Sequence, residues 1–149
     1  MTDDKILVRI VNKSPFENPA YASIMSAGCD LQANIKEPLA VVPGEIVLVP
    51  TGIFISLPKG FEAQIRSRSG LTLNHGIVVA NGIGTIDADY RGEIKVILTN
   101  ISKEEYRISA GERIAQMVIS EIKQAVFTDS DELDDTERSD GGFGHSGKD

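Results

Sequence analysis

The chain has 149 residues, of which 41% are hydrophobic and 25% are charged, and its formal net charge is -7. This length and balance are typical of one globular domain. The sequence contains no apolar run near the ~20 residues of a membrane span. Its basic residues also form no stripe of the kind that binds nucleic acid. The single cysteine, Cys29, excludes an internal disulfide bond and a cysteine metal cluster. The opening "MTDDKILVRI" lacks the basic and then apolar order of a signal peptide, so we expect a cytoplasmic protein.

The negative charge is concentrated at the C-terminal end. From Asp129 onward eight acidic residues stand against two basic ones, whereas the preceding part is nearly neutral. The composition also becomes low in complexity near Thr128. We therefore expect a folded β domain over residues 1–128, an acidic linker over 129–137 and a glycine-rich arm over 138–149.

Short β-branched runs separated by turn residues dominate the chain. "KILVRIVN" (5–12) alternates apolar and polar residues, which predicts a half-buried strand. "VVPGEIVLVPTGIFISLPKGFEAQIRSR" (41–68) reads as three strands, which are separated by turn signals at Pro43-Gly44 and Pro58-Lys59-Gly60. Further strands are predicted in "HGIVVANG", "EIKVILTNIS" and "RIAQMVISEI".

One segment favours a helix. "SGLTLNH" (69–75) offers a helical turn or two, with Ser69 as its cap.

Several short strands at a spacing of about 8–12 residues predict an all-β barrel or sandwich.

Two glycine-marked loops are dense in polar groups. "RSRSGL" (66–71) is either a helix cap beside solvated arginines or an anion site, in which Arg68, the Ser69 hydroxyl and backbone N–H groups meet a phosphate. "ANGIGTIDADYRGE" (80–93) contains an Asn-Gly pair that predicts a type I′ hairpin, and its "DADYRG" reads as an exposed turn when taken alone.

Five segments carry a family resemblance when they are taken together. They are "SAGCDL" (26–31), "RSRSGL" (66–71), "GTIDADYRGE" (84–93), "GERIAQMVI" (111–119) and "RSDGGFGHSG" (138–147). In order and spacing they resemble the five motifs of the trimeric deoxyuridine triphosphatase (dUTPase) family, over nearly the whole chain. Ser67 stands where that family often has proline, and Ser139 where it often has glycine, so we expect altered stiffness at both positions.

The resemblance implies a jelly-roll-like distorted barrel that assembles as a homotrimer, with active sites at the subunit junctions. It also implies hydrolysis of dUTP to dUMP and pyrophosphate with Mg²⁺, which limits uracil incorporation in DNA and supplies dUMP for dTMP synthesis. Two alternatives stay open. One is a dCTP deaminase-like enzyme on a similar fold, and the other is a non-catalytic nucleotide-binding protein that keeps the scaffold.

The resemblance also assigns the catalytic water and the metal. Asp87 matches the family's general base, which holds the attacking water, while we expect Asp89 to be structural. Mg²⁺ prefers phosphate oxygens and retained waters over an all-protein cage. Asp30 is therefore expected either to act on the water shell of the metal or to orient an arginine.

The remaining motif residues are expected to bind the substrate. The phosphate chain is assigned to Arg68, Ser69, Gly70, Gln116, Arg138 and Ser146. The uracil and deoxyribose are assigned to Asn81, Gly84, Tyr90 and Phe143. Phe143 would stack on the base, and the arm that carries it is expected to close over bound triphosphate. Two histidines are too few for a metal site, and Cys29 is interpreted as a core residue.

Overall fold

The structure, a computed structural model, describes residues 5–142. Runs rich in β-branched and apolar residues form its strands, and Gly, Pro and Asn punctuate them. These residues form one helix and ten strands: β1 Arg9–Asn12, β2 Gly28–Gln32, β3 Leu39–Val41, β4 Ile46–Ser56, β5 Phe61–Arg66, α1 Ser69–His75, β6 Ile77–Val79, β7 Gly84–Ile86, β8 Ile94–Asn100, β9 Tyr106–Ile108 and β10 Arg113–Glu121. The all-β prediction is confirmed.

The strands form two four-stranded sheets with crossovers between them. One sheet has the order β1-β4-β8-β6 and the other β2-β10-β5-β7, while β3 pairs with β9. Every pairing within these sheets is antiparallel. Successive strands such as β4 and β5 lie in different sheets, as the predicted jelly-roll architecture requires.

A single apolar core lies between the sheets. In β8, Ile94, Val96 and Leu98 are buried and alternate with more exposed residues, because successive side chains point to opposite faces of a strand. Side chains from both four-stranded sheets join the same apolar cluster. At the end of β8 the buried Asn100 amide donates to the carbonyl oxygen of Val41 at 2.9 Å, so this buried polar group is satisfied.

A bulge interrupts β4 where it crosses β8. The register of the two strands shifts between Pro50 and Ile53. The buried hydroxyl of Thr51 donates to a carbonyl oxygen of β8 at 2.6 Å. Gly52 has a φ of 72°, and a Cβ there would lie 2.8 Å from the backbone nitrogen of Ser14. Both the backbone angle and the space therefore require glycine at this bulge.

The helix α1 coincides with the predicted segment, but its cap does not. Arg68 is the N-cap residue, with φ -95° and ψ 127°, and no side chain among the described residues makes a capping hydrogen bond to the helix. The prediction that Ser69 caps the helix is wrong, because Ser69 is already helical and the extended cap position falls one residue earlier. The helix ends at Gly76, which adopts the left-handed conformation. Within the described residues no helix is long and apolar enough to span a membrane.

The segment after β6 is a crossover between sheets. β6 pairs with β8, whereas β7 pairs with β5. Gly82 has a φ of 75°, but Asn81 does not have a positive φ, and a type I′ turn needs both. The predicted type I′ hairpin is therefore wrong, because the strands on either side of the Asn-Gly pair do not pair with each other.

The first strand is shorter and more exposed than predicted. Only Arg9–Asn12 of residues 5–12 is a strand, and Val11 is 55% exposed. β1 is an edge strand that pairs with β4 alone. The prediction of a half-buried strand is wrong for the single chain, because Arg9, Ile10 and Val11 are all exposed at this edge of the sheet.

The sequence did not indicate three of the shorter strands, β2, β7 and β9. In β2 Cys29 is buried, and burial raises the pKa of its thiol, so the interpretation of Cys29 as a core residue is confirmed. Residues 122–142 form no helix or strand and are mostly exposed. The boundaries of the linker and the arm stay a prediction.

Candidate active site

The connection between β7 and β8 borders an open cleft of about 390 Å³. Asp87, Tyr90 and Glu93 line this cleft, together with apolar side chains of β4 and β8. We refer to it as the Asp87 cleft. Two of the predicted site residues, the base candidate Asp87 and the sugar candidate Tyr90, thus share one concave surface.

Local hydrogen bonds hold the lining of this cleft in place. The Tyr90 N–H donates to the Asp87 carbonyl oxygen at 3.1 Å, and the Tyr90 hydroxyl donates to the Glu93 carbonyl oxygen at 3.1 Å. The Arg91 guanidinium donates to two carbonyl oxygens of the same turn at 2.6 and 2.9 Å. A Cβ at position 92 would collide with the Tyr90 ring, so Gly92 lets the ring lie over the backbone.

Asp87 and Asp89 differ in what their carboxylates face. Neither carboxylate has a hydrogen-bond or ion-pair partner within residues 5–142. Asp87 lines the cleft, whereas Asp89 does not. An ionised carboxylate with open lone pairs accepts hydrogen bonds from water, so Asp87 is the one placed to hold a water in this cleft.

Two arginines converge on the carboxylate of Asp30. Arg68 Nε donates to Asp30 Oδ1 at 2.9 Å, and Arg113 Nη1 donates to Oδ2 at 3.3 Å. Arg68 also donates to the Arg113 carbonyl oxygen at 3.1 Å. Two guanidinium groups on one carboxylate leave a surplus positive charge, and Asp30 holds both arginines in position.

These arginines line a second cleft, of about 420 Å³, which we refer to as the Arg68 cleft. Gly70 also lines it. A Cβ on Gly70 would meet no atom within 4 Å, so packing inside the chain does not require glycine here. Ser69 and Gly70 are exposed, and the backbone at this point is open to the approach of a ligand.

Gln116 lies beside the loop that carries Arg68. On β10 its Nε2 donates to the Ser67 carbonyl oxygen at 2.9 Å. The Ser67 hydroxyl in turn accepts a hydrogen bond from the Val79 N–H at 2.8 Å. Part of the donor capacity of the Gln116 amide is therefore used inside the chain, where it fixes the loop.

The two uracil candidates are neighbours at the start of β7. A Cβ on Gly84 would lie 3.1 Å from Cβ of Ile65 and 3.7 Å from Nδ2 of Asn81. The glycine thus lets β7 approach β5 closely while the Asn81 amide lies beside it. Neither residue lines the Asp87 cleft or the Arg68 cleft.

The arm candidates are only partly described. Arg138 Nε donates to the Gly141 carbonyl oxygen at 2.7 Å, and Arg138 lines neither cleft. Ser139 has a φ of 46°, a left-handed conformation that favours glycine. Phe143 and Ser146 lie outside the described residues.

A second set of interacting side chains, those of His75, Tyr106 and Glu112, borders the Arg68 cleft. The Tyr106 hydroxyl donates to the carboxylate of Glu112, and the His75 ring lies against the Tyr106 ring with centroids 4.5 Å apart. Burial, followed by the bond to Glu112, raises the pKa of Tyr106 to about 12. All three residues line the cleft that Arg68 and Arg113 also line.

The two clefts have no lining residue in common. The candidates for the general base and the deoxyribose, Asp87 and Tyr90, line one cleft, and the phosphate candidates Arg68 and Gly70 line the other. Glu93 and Arg113 are among the lining residues that were not predicted, although each stands inside a quoted motif. Their partners come from distant parts of the chain, since Asp30 is 83 positions from Arg113.

The comparisons with known proteins agree with these motifs. The family model described as dUTPase matches residues 14–147.

The chain belongs to the dUTPase family.

Similar members of the dUTPase family cover nearly the whole chain. The deoxyuridine 5'-triphosphate nucleotidohydrolase of Finegoldia magna is 51% identical over 140 residues, which are 94% of this chain and 98% of that protein. The corresponding protein of Thermoanaerobacter sp. is 57% identical over 129 residues, 87% of each chain. The Staphylococcus bacteriophage 80alpha dUTPase with dUPNHPP is similar in structure, with a TM-score of 0.85 and 27% identity over 96% of this chain and 99% of that one.

The metal donors of this dUTPase are sparse. Within residues 5–142 no group of three or more His, Cys, Asp or Glu side chains is placed to hold a metal ion. The carboxylate of Asp30 already accepts hydrogen bonds from both Arg68 and Arg113. This donor set fits a Mg²⁺ that takes most of its ligands from triphosphate oxygens and water.

Proposed function

We propose that this dUTPase hydrolyses dUTP to dUMP and pyrophosphate by attack of a water on the α-phosphorus, with Asp87 as the general base. The observation that carries the assignment is the position of Asp87, which lines a cleft with Tyr90 and whose carboxylate has no hydrogen-bond or ion-pair partner within residues 5–142. Asp89, two residues further on, does not line the cleft.

The reaction forms one phosphorus–oxygen bond and breaks another. The water oxygen bonds to the α-phosphorus, and the bond from that phosphorus to the oxygen that bridges to the β-phosphate breaks. The water gives its proton to the Asp87 carboxylate, and pyrophosphate leaves. General-base assistance accounts for about 10²–10⁴-fold in rate, so positioning and charge stabilisation supply the rest.

We assign the phosphate chain to the Arg68 cleft. Arg68 and Arg113 offer two guanidinium groups that Asp30 holds in place, and such groups form strong hydrogen bonds with phosphate oxygens. The remaining donors in this proposal are Ser69, Gly70, Gln116, Arg138 and Ser146. Mg²⁺ bound to the triphosphate, with Asp30 contacting its water shell, would neutralise charge on the leaving pyrophosphate.

We assign binding of the uracil base to Asn81 and Gly84, and binding of the deoxyribose to Tyr90. The Asn81 amide beside Gly84 can pair with the uracil edge, and close backbone approach leaves no room for a 5-methyl group. Tyr90 would lie against the deoxyribose and exclude a 2′-hydroxyl group. Phe143 of the arm would stack on the base.

We further propose that the active site is shared between copies in a homotrimer. Two features support it: Asp87 and Arg68 line separate clefts of one chain, and large apolar side chains are exposed on β1 and β4. Val11, Ile46 and Leu48 are 55%, 67% and 57% exposed, and Leu48 also lines the Asp87 cleft. A second copy on this surface would bury these side chains at the border of the cleft. A cytoplasmic location stays a prediction from the sequence.

A nucleotide panel tests the proposed reaction. Pyrophosphate and ammonia release would be measured with dUTP, dCTP, dTTP and UTP, each with and without Mg²⁺. We expect Mg²⁺-dependent pyrophosphate release from dUTP and little from the other three. Ammonia release from dCTP would instead show a deaminase, and no product from any nucleotide would show a binding protein.

A further inference from the structure

Glu93 joins two parts of the structure that are distant in sequence. Its Oε1 accepts a hydrogen bond from the Gly52 N–H at 2.8 Å, and its own carbonyl oxygen accepts one from the Tyr90 hydroxyl at 3.1 Å. Glu93 therefore lies between the β4 bulge and the aromatic ring of Tyr90. Asp87, Tyr90 and Glu93 all line the Asp87 cleft.

The bulge is a rigid anchor for this contact. The register shift between β4 and β8 takes the Gly52 N–H out of the ladder and turns it toward Glu93. Gly52 is fixed on its other side, because its carbonyl oxygen accepts a hydrogen bond from the Lys13 N–H at 2.8 Å. The Thr51 hydroxyl bond to β8 holds the same turn of backbone.

The ion pair that Glu93 also makes is too weak to explain its placement. Glu93 Oε2 lies 3.9 Å from Nζ of Lys95, whose side chain is 45% exposed. Exposed pairs of this length contribute little. The hydrogen bond from Gly52 is short and reaches a charged acceptor, so it dominates the orientation of Glu93.

We propose that Glu93 is a positioning residue for sugar selection, which rests on the proposed function of Tyr90 in the same cleft. Its carboxylate, held by the Gly52 N–H, fixes the backbone carbonyl that binds the Tyr90 hydroxyl. The Tyr90 ring is thereby held in the position in the cleft where it excludes a ribose 2′-hydroxyl group. Gly92 completes the arrangement, because it leaves room for the ring over the backbone.

The test compares the ratio of kcat/KM for dUTP to kcat/KM for UTP. Glu93→Ala and Glu93→Asp both lose the bond to Gly52, since Asp is one methylene too short. We expect each to lower the ratio about tenfold, the size that loss of a hydrogen bond to a charged group implies. Glu93→Gln keeps an oxygen acceptor for the Gly52 N–H and is expected to stay within about twofold of wild type.

Two controls separate positioning from general stability. Glu45 Oε2 also accepts a backbone hydrogen bond, from the Val42 N–H at 3.0 Å, but does not line the cleft. Glu45→Ala is therefore expected to leave the ratio unchanged. If Glu93 acts through Tyr90, the Tyr90→Phe and Glu93→Asp effects on the ratio are not additive in the double variant.

The outcomes distinguish this inference from the function on which it rests. A wild-type protein that releases no pyrophosphate from dUTP would overturn both. An active wild type with the same ratio in Glu93→Asp, or with additive effects in the double variant, would overturn only the positioning role of Glu93.

Discussion

The hydroxyl of Ser67 accepts a hydrogen bond from the Val79 N–H at 2.8 Å, which ties the loop before α1 to β6. At the same residue the backbone carbonyl oxygen accepts the Gln116 amide at 2.9 Å. Through these two bonds Ser67 restrains the loop that carries Arg68.

Ser67→Ala is expected to destabilise the fold. Val79 is only 4% exposed, so its N–H would be buried without a partner, at about 1–3 kcal/mol of unfolding free energy. Urea denaturation of the two proteins measures the difference. Ser120→Ala is the matched control, because the Ser120 hydroxyl makes only a 3.4 Å contact on the surface; its effect should stay within about 0.5 kcal/mol. Equal stability of Ser67→Ala and wild type would contradict the role of this bond.

Asp87→Asn is expected to leave dUTP binding largely intact while kcat falls about 10²–10⁴-fold, because the amide cannot take a proton from the attacking water. Asp89→Asn, which removes a carboxylate outside the cleft, should keep near-normal turnover. Calorimetric binding and pyrophosphate release measure the two quantities. Near-normal release by Asp87→Asn would refute the assignment of the base.

Tyr106 is expected to lower the free energy of unfolding as the pH rises through the alkaline range. Its pKa is raised to about 12, against about 10 for a tyrosine in an unfolded chain. As the pH rises, the Tyr106 hydroxyl therefore loses its proton at a lower pH in the unfolded chain than in the folded protein. The stabilisation that this difference contributes is complete below about pH 10 and is lost as the pH rises toward 12.

Urea denaturation of wild type and Tyr106→Phe between about pH 8 and pH 12 isolates this contribution, since the other titrating groups are shared. Wild type should be the more stable at pH 8, where the bond to Glu112 is intact, and the difference should shrink as the pH rises. A difference that does not change with pH would show that Tyr106 does not titrate in this way.

Mixing two inactive variants tests whether the site is shared. Arg68→Ala copies keep Asp87, and Asp87→Asn copies keep Arg68, so a site that takes one residue from each copy becomes complete in mixed trimers. Random assembly of equal amounts should restore about one quarter of wild-type turnover. If both residues acted within one copy, no mixture would regain activity.

Periodicity predicted the strands that the core requires. "EIKVILTN" shows the alternation that buries one face of β8, and the turn residues end β4 and α1 where the sequence indicates. The exposure of Val11 could not be predicted in this way, because it depends on which surfaces cover an edge strand. The Asn81-Gly82 turn failed for a related reason, since the sheets that hold β6 and β7 decide the geometry.

The site was predictable only as motifs. They indicate Asp87 and Arg68 as candidates, but periodicity and spacing say nothing of which side chains the fold brings to each of them. The contact between Arg113 and Asp30 joins β10 to β2 and exists only because those strands pair. The role of Glu93 likewise depends on a bulge in β4, for which the strand pattern gives no signal.

The most direct test of the central claim is the destination of the oxygen from water. A single turnover of dUTP in water enriched in oxygen-18 would be followed by mass spectrometry of both products. Attack on the α-phosphorus predicts one labelled oxygen in dUMP and none in pyrophosphate. Label in pyrophosphate instead would show attack on the β-phosphorus and would contradict the mechanism assigned to the Asp87 cleft.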